Sequence, residues 1–128
     1  MEKKDFAKLK ALIVEDDTVL QLVMKKELAS LGIESISALT GTAAIIEHSK
    51  TQFDFILMDI SMPEQDGLDA IRWIRDLRDN YSKDIPIFAV TSYSSEAHTK
   101  EILEAGFNDH FIKPFKLQQL VDRLKKII

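Results

Sequence analysis

The sequence predicts an α/β fold in which a five-stranded parallel sheet is covered by helices on both faces. Its strongest apolar stretches are short continuous runs rather than alternating ones, as is typical of strands buried on both sides. Between the runs lie helical patterns with apolar residues three and four positions apart. Five repeats of strand then helix favour right-handed crossovers, so we expect a doubly wound, three-layer sandwich with five helices.

Five short apolar runs are predicted to be strands. The first, third and fourth runs are continuous, which favours central positions in the sheet. The second run is weaker, and the fifth is brief. The predicted strands are Leu12 to Val14, Ile33 to Leu39, Phe53 to Met58, Ile85 to Val90 and Phe111 to Ile112.

The helices are predicted from apolar stripes and from residues that begin or end helices. Leu20 opens the stripe of the first helix, and Leu117 opens that of the fifth. Gly32 and Gly106 are placed to end the first and fourth helices, because glycine readily adopts the left-handed backbone that often follows a helix. The fourth helix has the weakest stripe. The residues expected to cap the second and fourth helices are Thr40 or Thr42 and Ser94 or Ser95.

Length and composition exclude several classes of protein for this chain. A chain of 128 residues fits one domain, expected to span residues 1–128. No apolar run approaches the roughly 18 residues that cross a bilayer, so we expect a cytoplasmic protein without membrane insertion. The absence of cysteine excludes thiolate metal sites and cysteine nucleophiles, and the net charge of −4 argues against direct nucleic-acid binding.

The predicted strand ends carry polar residues, and in open α/β sheets ligands bind beyond the carboxyl ends of the strands. Taken singly, each residue can be a helix cap, a turn residue or a solvated side chain. Their joint placement at one edge of the sheet indicates a shared site. These residues are Glu15, Asp16 and Asp17 after the first strand, Asp59 after the third, Thr91 and Ser92 after the fourth, and Lys113 after the fifth.

Carboxylates and an ammonium at one edge indicate metal-assisted phosphoryl chemistry. Like charges within a few ångström oppose folding unless a cation neutralises them. Oxygen ligands without cysteine or a histidine pair favour a hard ion, and Mg²⁺ suits two carboxylates plus waters. The remaining carboxylate can then accept a phosphoryl group as an acyl phosphate, while Lys113 and the Thr91 hydroxyl bind its oxygens.

Four motifs occur in order along the chain: Leu12-Ile13-Val14-Glu15-Asp16-Asp17, Leu57 to Pro63 with Asp66-Gly67, Val90-Thr91-Ser92, and Lys113-Pro114-Phe115. With them, nearly the whole chain resembles the receiver domains of bacterial response regulators, which act in two-component signalling and phosphorelays. The resemblance implies a flavodoxin-like fold with strand order 2-1-3-4-5. It also implies a signalling phosphoacceptor that catalyses only its own phosphorylation and dephosphorylation.

By this resemblance Asp59 is the phosphoacceptor and receives its phosphoryl group from a histidine kinase or a histidine phosphotransfer protein. The implied metal is Mg²⁺, with Mn²⁺ as an alternative. Asp16 and Asp59 ligate it directly, and Glu15 acts mostly through a metal-bound water. The backbone carbonyl of Ser61 is a further implied ligand. Asp17 lies outside the family's acid pair, which corresponds to Glu15 and Asp16, and is expected to be a helix cap or a solvated acid.

The resemblance also implies a conformational switch. Thr91 is expected to follow the phosphoryl group, and Lys113 to pair with it. The family usually has Tyr or Phe three residues before this lysine, where this chain has His110. His110 is either a partly exposed imidazole without a special role or an output gate whose charge varies near neutral pH. The fourth helix, fifth strand and fifth helix form the surface implied for target binding or homodimerisation.

Other functions fit the residues less well. A nucleotide-binding enzyme on a similar sheet needs a glycine-rich phosphate loop, and the four glycines form no such cluster. An aspartyl phosphatase usually has an acid two residues beyond its nucleophile, where this chain has Ser61. A degenerate receiver that acts only as an interaction module is the remaining alternative. The residues that carry the chemistry are nevertheless all present, namely Glu15, Asp16, Asp59, Thr91 and Lys113.

Three further side chains are expected to have no role in the chemistry. His48 and His98 lie on predicted helices without neighbours that suit metal binding or phosphotransfer, so we expect them at the surface. Trp73 is expected to pack within the third helix region.

Overall fold

The computed structural model describes residues 8–60, 67–92, 96–113 and 115–127. These residues contain strands β1 (Lys10–Val14), β2 (Glu34–Ala38), β3 (Phe55–Asp59), β4 (Ile87–Thr91) and β5 (Asp109–Ile112). All neighbouring strands are parallel, and they form one sheet in the order β2-β1-β3-β4-β5. The predicted strand order is therefore confirmed.

The described residues contain six helices rather than the predicted five. They are α1 (Thr18–Ser30), α2 (Gly41–Lys50), α3 (Gly67–Arg75), α4 (Asn80–Asp84), α5 (Glu96–Ala105) and α6 (Leu117–Ile127). The additional helix is α4, whose five residues are too few to show an apolar stripe. Its first turn is held by Asp79, which accepts a hydrogen bond from the backbone N–H of Ser82 at 2.7 Å. The fourth and fifth predicted helices correspond to α5 and α6.

The helix ends follow the predicted capping chemistry where the structure describes them. Asp17 caps α1, because its Oδ1 accepts the N–H groups of Val19 and Leu20. Thr40, rather than Thr42, caps α2 by accepting the N–H of residue 43 at 3.0 Å. Gly32 follows α1 with a φ of 82°, which favours glycine. The predicted caps Ser94 and Ser95 lie outside the described residues.

The apolar core lies on both faces of the sheet, because successive residues of a strand point to opposite sides. On β1, Leu12 belongs to one buried cluster and Ile13 to the other. The first cluster also contains residues of α2, α3 and α5, such as Ile71. The second contains residues of α1 and α6, such as Leu28 and Leu124. The expected coverage of the sheet on both faces is therefore present.

Arg75 closes the end of the sheet where the strands begin. Its guanidinium donates to the carbonyls of Gly106 at 3.1 Å and Ser82 at 3.0 Å, and to the Asn108 side chain at 2.9 Å. Gly106 has a φ of 112°, and a Cβ there would lie 3.0 Å from the Arg75 Cγ. A larger residue at 106 would therefore disturb a contact that joins the ends of three helices.

The expected surface position of His48 is wrong. The side chain is buried, its Nε2 lies 2.8 Å from the Ser82 Oγ, and its ring stacks on Tyr81 with centroids 4.8 Å apart. Both partners belong to α4, the helix that the sequence pattern did not indicate. Trp73 packs less completely than expected, since 48% of this residue is exposed. The side chain of His98 is outside the described part of the chain.

The surroundings of His48 favour its neutral form. The Ser82 hydroxyl donates to Asp79 Oδ2 at 3.0 Å, so it accepts the Nε2–H of His48. The Nδ1 of His48 is buried, and the described residues give it no hydrogen-bond partner. Burial lowers the pKa of His48 below its ordinary 6.5; Asp79 raises it and Arg75 lowers it further.

We predict that this histidine makes the fold less stable in acid. Because the pKa of His48 is lower in the folded state, its contribution is complete above about pH 6.5 and is lost as the pH falls below that value. Urea unfolding between about pH 8 and about pH 5 measures this loss. The variant His48→Gln should show a shallower decline than the original chain. Equal slopes for the two proteins would contradict the prediction.

Candidate functional site

The predicted site residues lie at the carboxyl ends of four strands. Glu15 directly follows β1, Asp59 ends β3, Thr91 ends β4 and Lys113 directly follows β5. In the sheet, β2 lies on one side of β1, whereas β3 and the later strands lie on the other side. The crevice at such a switch in strand order is the usual ligand site of an open α/β sheet. The topology therefore gathers residues that are far apart in sequence.

Lys113 connects two of the acids directly. Its Nζ donates to Asp59 Oδ2 at 2.8 Å and to Glu15 Oε1 at 3.2 Å. Glu15 and Asp59 are only 1% and 4% exposed, whereas Asp16 is exposed to solvent. The structure thus places a buried pair of carboxylates beneath an exposed one.

The three acids form a compact set of oxygen ligands. One carboxylate oxygen from each of Glu15, Asp16 and Asp59 lies within 4.8 Å of the others. In the described part of the chain this is the one group of three acidic or imidazole side chains close enough to bind a metal ion. Oxygen donors without nitrogen or sulfur suit a hard divalent cation. The carbonyl of Ser61 lies outside the described residues.

Burial and mutual repulsion change the ionisation of this group. Burial, a hydrogen bond with Asp59 and the charge of Asp59 raise the pKa of Glu15 from 4.5 to about 7, although the N–H of Asp17 and the charge of Lys113 lower it. Burial lowers the pKa of Lys113, but the hydrogen bonds and charges of Asp59 and Glu15 outweigh burial, so the net shift is upward. The lysine is therefore charged, and the pocket retains an excess of negative charge that a cation can neutralise.

Thr91 ends β4 at the edge of this pocket, and His110 lies within β5. Thr91 is fully buried, and its carbonyl accepts the backbone N–H of Lys113 at 2.7 Å. His110 lies on β5 opposite Ala89, with its Nδ1 3.8 Å from Asp109 Oδ1. Thr91 is thus held at the edge of the site through the backbone of the lysine that contacts both acids.

Two further contacts hold the loop between β1 and α1. The backbone N–H of Asp17 donates to Glu15 Oε2 at 3.2 Å, and the side-chain amide of Gln21 donates to the backbone carbonyl of Glu15 at 3.3 Å. The sequence pattern does not indicate Gln21, because a helical glutamine gives no signal of which distant carbonyl its side chain reaches.

A family model of the response regulator receiver domain matches residues 11–125. The chain belongs to this family. Receiver domains act in two-component signal transduction as signalling phosphoacceptors rather than as true enzymes. Within the described residues, no helix has the length and apolar character needed to cross a membrane.

Curated relatives include both a short protein and a very long one. The chain is 30% identical over 122 residues to the chemotaxis protein CheY1 of Helicobacter pylori strain J99, covering 94% of this chain and 97% of CheY1. It is 32% identical over 132 residues to the peroxide stress-activated histidine kinase mak2 of Schizosaccharomyces pombe, covering 99% of this chain but only 6% of the kinase. Receiver domains thus occur alone and within larger proteins.

Two solved structures match this receiver domain closely. The receiver domain of a sensor histidine kinase from Pseudomonas aeruginosa PAO1 has a TM-score of 0.82 and 34% identity, covers 92% of this chain and 95% of its own, and contains a magnesium ion in its active-site cleft. The co-crystal structure of the Saccharomyces cerevisiae phosphotransfer protein Ypd1 with the receiver domain of Ssk1 gives a TM-score of 0.82 at 27% identity, over 94% and 88% of the two chains.

We predict that Lys113 is the main electrostatic support of the metal-free pocket. Lys113→Met leaves the carboxylates of Glu15 and Asp59 without their cation, and it should lower the free energy of unfolding by roughly 3–5 kcal/mol. The matched control is Lys10→Met, because the Lys10 ammonium pairs with the exposed Glu34 at 3.6 Å. That variant should lose less than about 1 kcal/mol.

Urea unfolding in a buffer without divalent cations measures both losses. If Lys113→Met is no less stable than Lys10→Met, the ion pairs of Lys113 with Glu15 and Asp59 do not stabilise the fold, and the prediction is wrong.

Proposed function

We propose that Asp59 accepts a phosphoryl group in a Mg²⁺-dependent reaction and that the resulting acyl phosphate changes the partner-binding surface of the domain. The donor is a phosphohistidine on a histidine kinase or a histidine phosphotransfer protein. One observation carries the proposal: the buried Asp59 carboxylate is bonded to the Lys113 ammonium and lies within reach of two further acids.

The proposed reaction exchanges one phosphorus bond for another. A carboxylate oxygen of Asp59 forms a bond to phosphorus while the phosphorus–nitrogen bond of the phosphohistidine breaks and the imidazole leaves. The negative charge on the transferring group must be neutralised, since such transfer depends mainly on positioning and electrostatics. Lys113 would pair with one phosphoryl oxygen, and the Thr91 hydroxyl would donate a hydrogen bond to another.

The acid group supplies suitable ligands for the metal. Asp16 and Asp59 would bind Mg²⁺ directly, with Glu15 acting through a metal-bound water and the carbonyl of Ser61 as a further ligand. When bound, Mg²⁺ supplies positive charge next to the transferring group. Mn²⁺ is an alternative because it also prefers oxygen ligands. The magnesium ion in the Pseudomonas receiver supports this assignment.

The switch would start at Thr91 and reach the surface through β5. Phosphorylation adds about 1.5 to 2 negative charges, enough to bias an existing equilibrium between two conformations. We propose Thr91 and His110 as the residues whose positions change. Exposed apolar side chains on α5, β5 and α6 support a partner or homodimer surface there: Leu103, Ile112 and Ile127 are 52%, 39% and 47% exposed.

We predict that Asp59 is the residue modified by a small phosphodonor. With acetyl phosphate and Mg²⁺, the chain should gain the mass of one phosphoryl group, and Asp59→Asn or chelation of the metal should abolish the gain. Asp54→Asn is the matched control, because Asp54 precedes the same strand and its carboxylate accepts the N–H of Lys10 at 2.8 Å, away from the pocket.

Intact-mass spectrometry measures the modification. Labelling of Asp59→Asn to the same extent as the original chain would refute the assignment. Absence of labelling in every protein would favour the degenerate receiver.

A further inference from the structure

Gln21 lies on the first full turn of α1 and spans two strand ends. Its Nε2 donates to the carbonyl of Glu15 and to the carbonyl of Ala38, both at 3.3 Å. Ala38 is the last residue of β2, and its carbonyl also accepts the backbone N–H of Glu15 at 3.0 Å. One neutral amide therefore connects α1, the end of β2 and the loop that follows β1.

The carbonyl of Glu15 belongs to the peptide unit that joins Glu15 to Asp16. A peptide unit is planar, so fixing this carbonyl also fixes the direction in which the backbone enters Asp16. On the other side, the Asp17 carboxylate holds the first turn of α1, and the Asp17 carbonyl accepts the N–H of Gln21 at 2.9 Å. The exposed Asp16 is thus positioned by its neighbours rather than by burial.

The residue type matters at this position. A primary amide carries two hydrogens and satisfies both carbonyl oxygens without adding charge. Methionine has a similar length but no donor. Lysine or arginine could donate, yet each would add positive charge beside a pocket that binds a cation.

We infer that Gln21 is a positioning residue for the metal-binding loop, holding Asp16 where it can ligate the ion. This inference rests on the proposed Mg²⁺ site. Groups that orient metal ligands typically change metal affinity by 10- to 100-fold when they are removed.

The test compares Gln21→Met with Gln118→Met. Gln118 is a matched control on α6, where its side-chain amide donates to Asp122 at 2.8 Å on the protein surface. Mg²⁺ affinity is measured by NMR titration of the backbone amides, and backbone hydrogen exchange at residues 15–17 is measured without metal.

We expect Gln21→Met to bind Mg²⁺ about tenfold more weakly and to exchange these amides faster, with Gln118→Met unchanged in both. Saturating Mg²⁺ should restore the initial rate of labelling by acetyl phosphate, since the loss is one of affinity. Unchanged Mg²⁺ affinity in Gln21→Met would overturn the inference.

A lower unfolding midpoint with unchanged affinity would also overturn it, because the role would then be structural. The proposed function itself fails differently: in that case the original chain neither binds Mg²⁺ nor becomes labelled at Asp59.

Discussion

Three carboxylates that repel one another lie within 4.8 Å in this fold, and the rest of the structure keeps them there. Two of them are almost completely buried, which adds a desolvation cost to the repulsion. One ammonium compensates only part of the charge. Proton uptake by Glu15, whose pKa is raised to about 7, relieves another part in the metal-free protein. A divalent cation would replace that proton with two positive charges, so the mutual repulsion of the three acids favours metal binding.

The fold holds this pocket through contacts between distant parts of the chain. The Lys113 side chain bonds to Asp59, which lies 54 positions earlier in the sequence, and to Glu15, which lies 98 positions earlier. Such contacts persist only if the sheet fixes the strand ends relative to one another, because each closes a long loop. The opposite end of the sheet is closed by Arg75 and α4. One end is therefore held by satisfied hydrogen bonds, while the other retains excess charge for chemistry.

The sequence predicted most of what depends on local patterns. Continuous apolar runs located the strands, and the polar residues that follow them located Glu15, Asp59 and Lys113, because parallel strands share one carboxyl edge. His48 was misplaced because periodicity does not show what covers a helix. Gln21 was missed because its bond to Ala38 spans 17 positions. The ligand role of Ser61, the gate at His110 and the single domain over residues 1–128 stay predictions.

We propose that the three acids together hold a divalent cation beside Asp59. A crystal of the protein soaked with Mn²⁺, with data collected at a wavelength where manganese scatters anomalously, tests it most directly. We expect one strong anomalous peak between the carboxylates of Glu15, Asp16 and Asp59. Full manganese occupancy elsewhere, with no peak among these carboxylates, would contradict it.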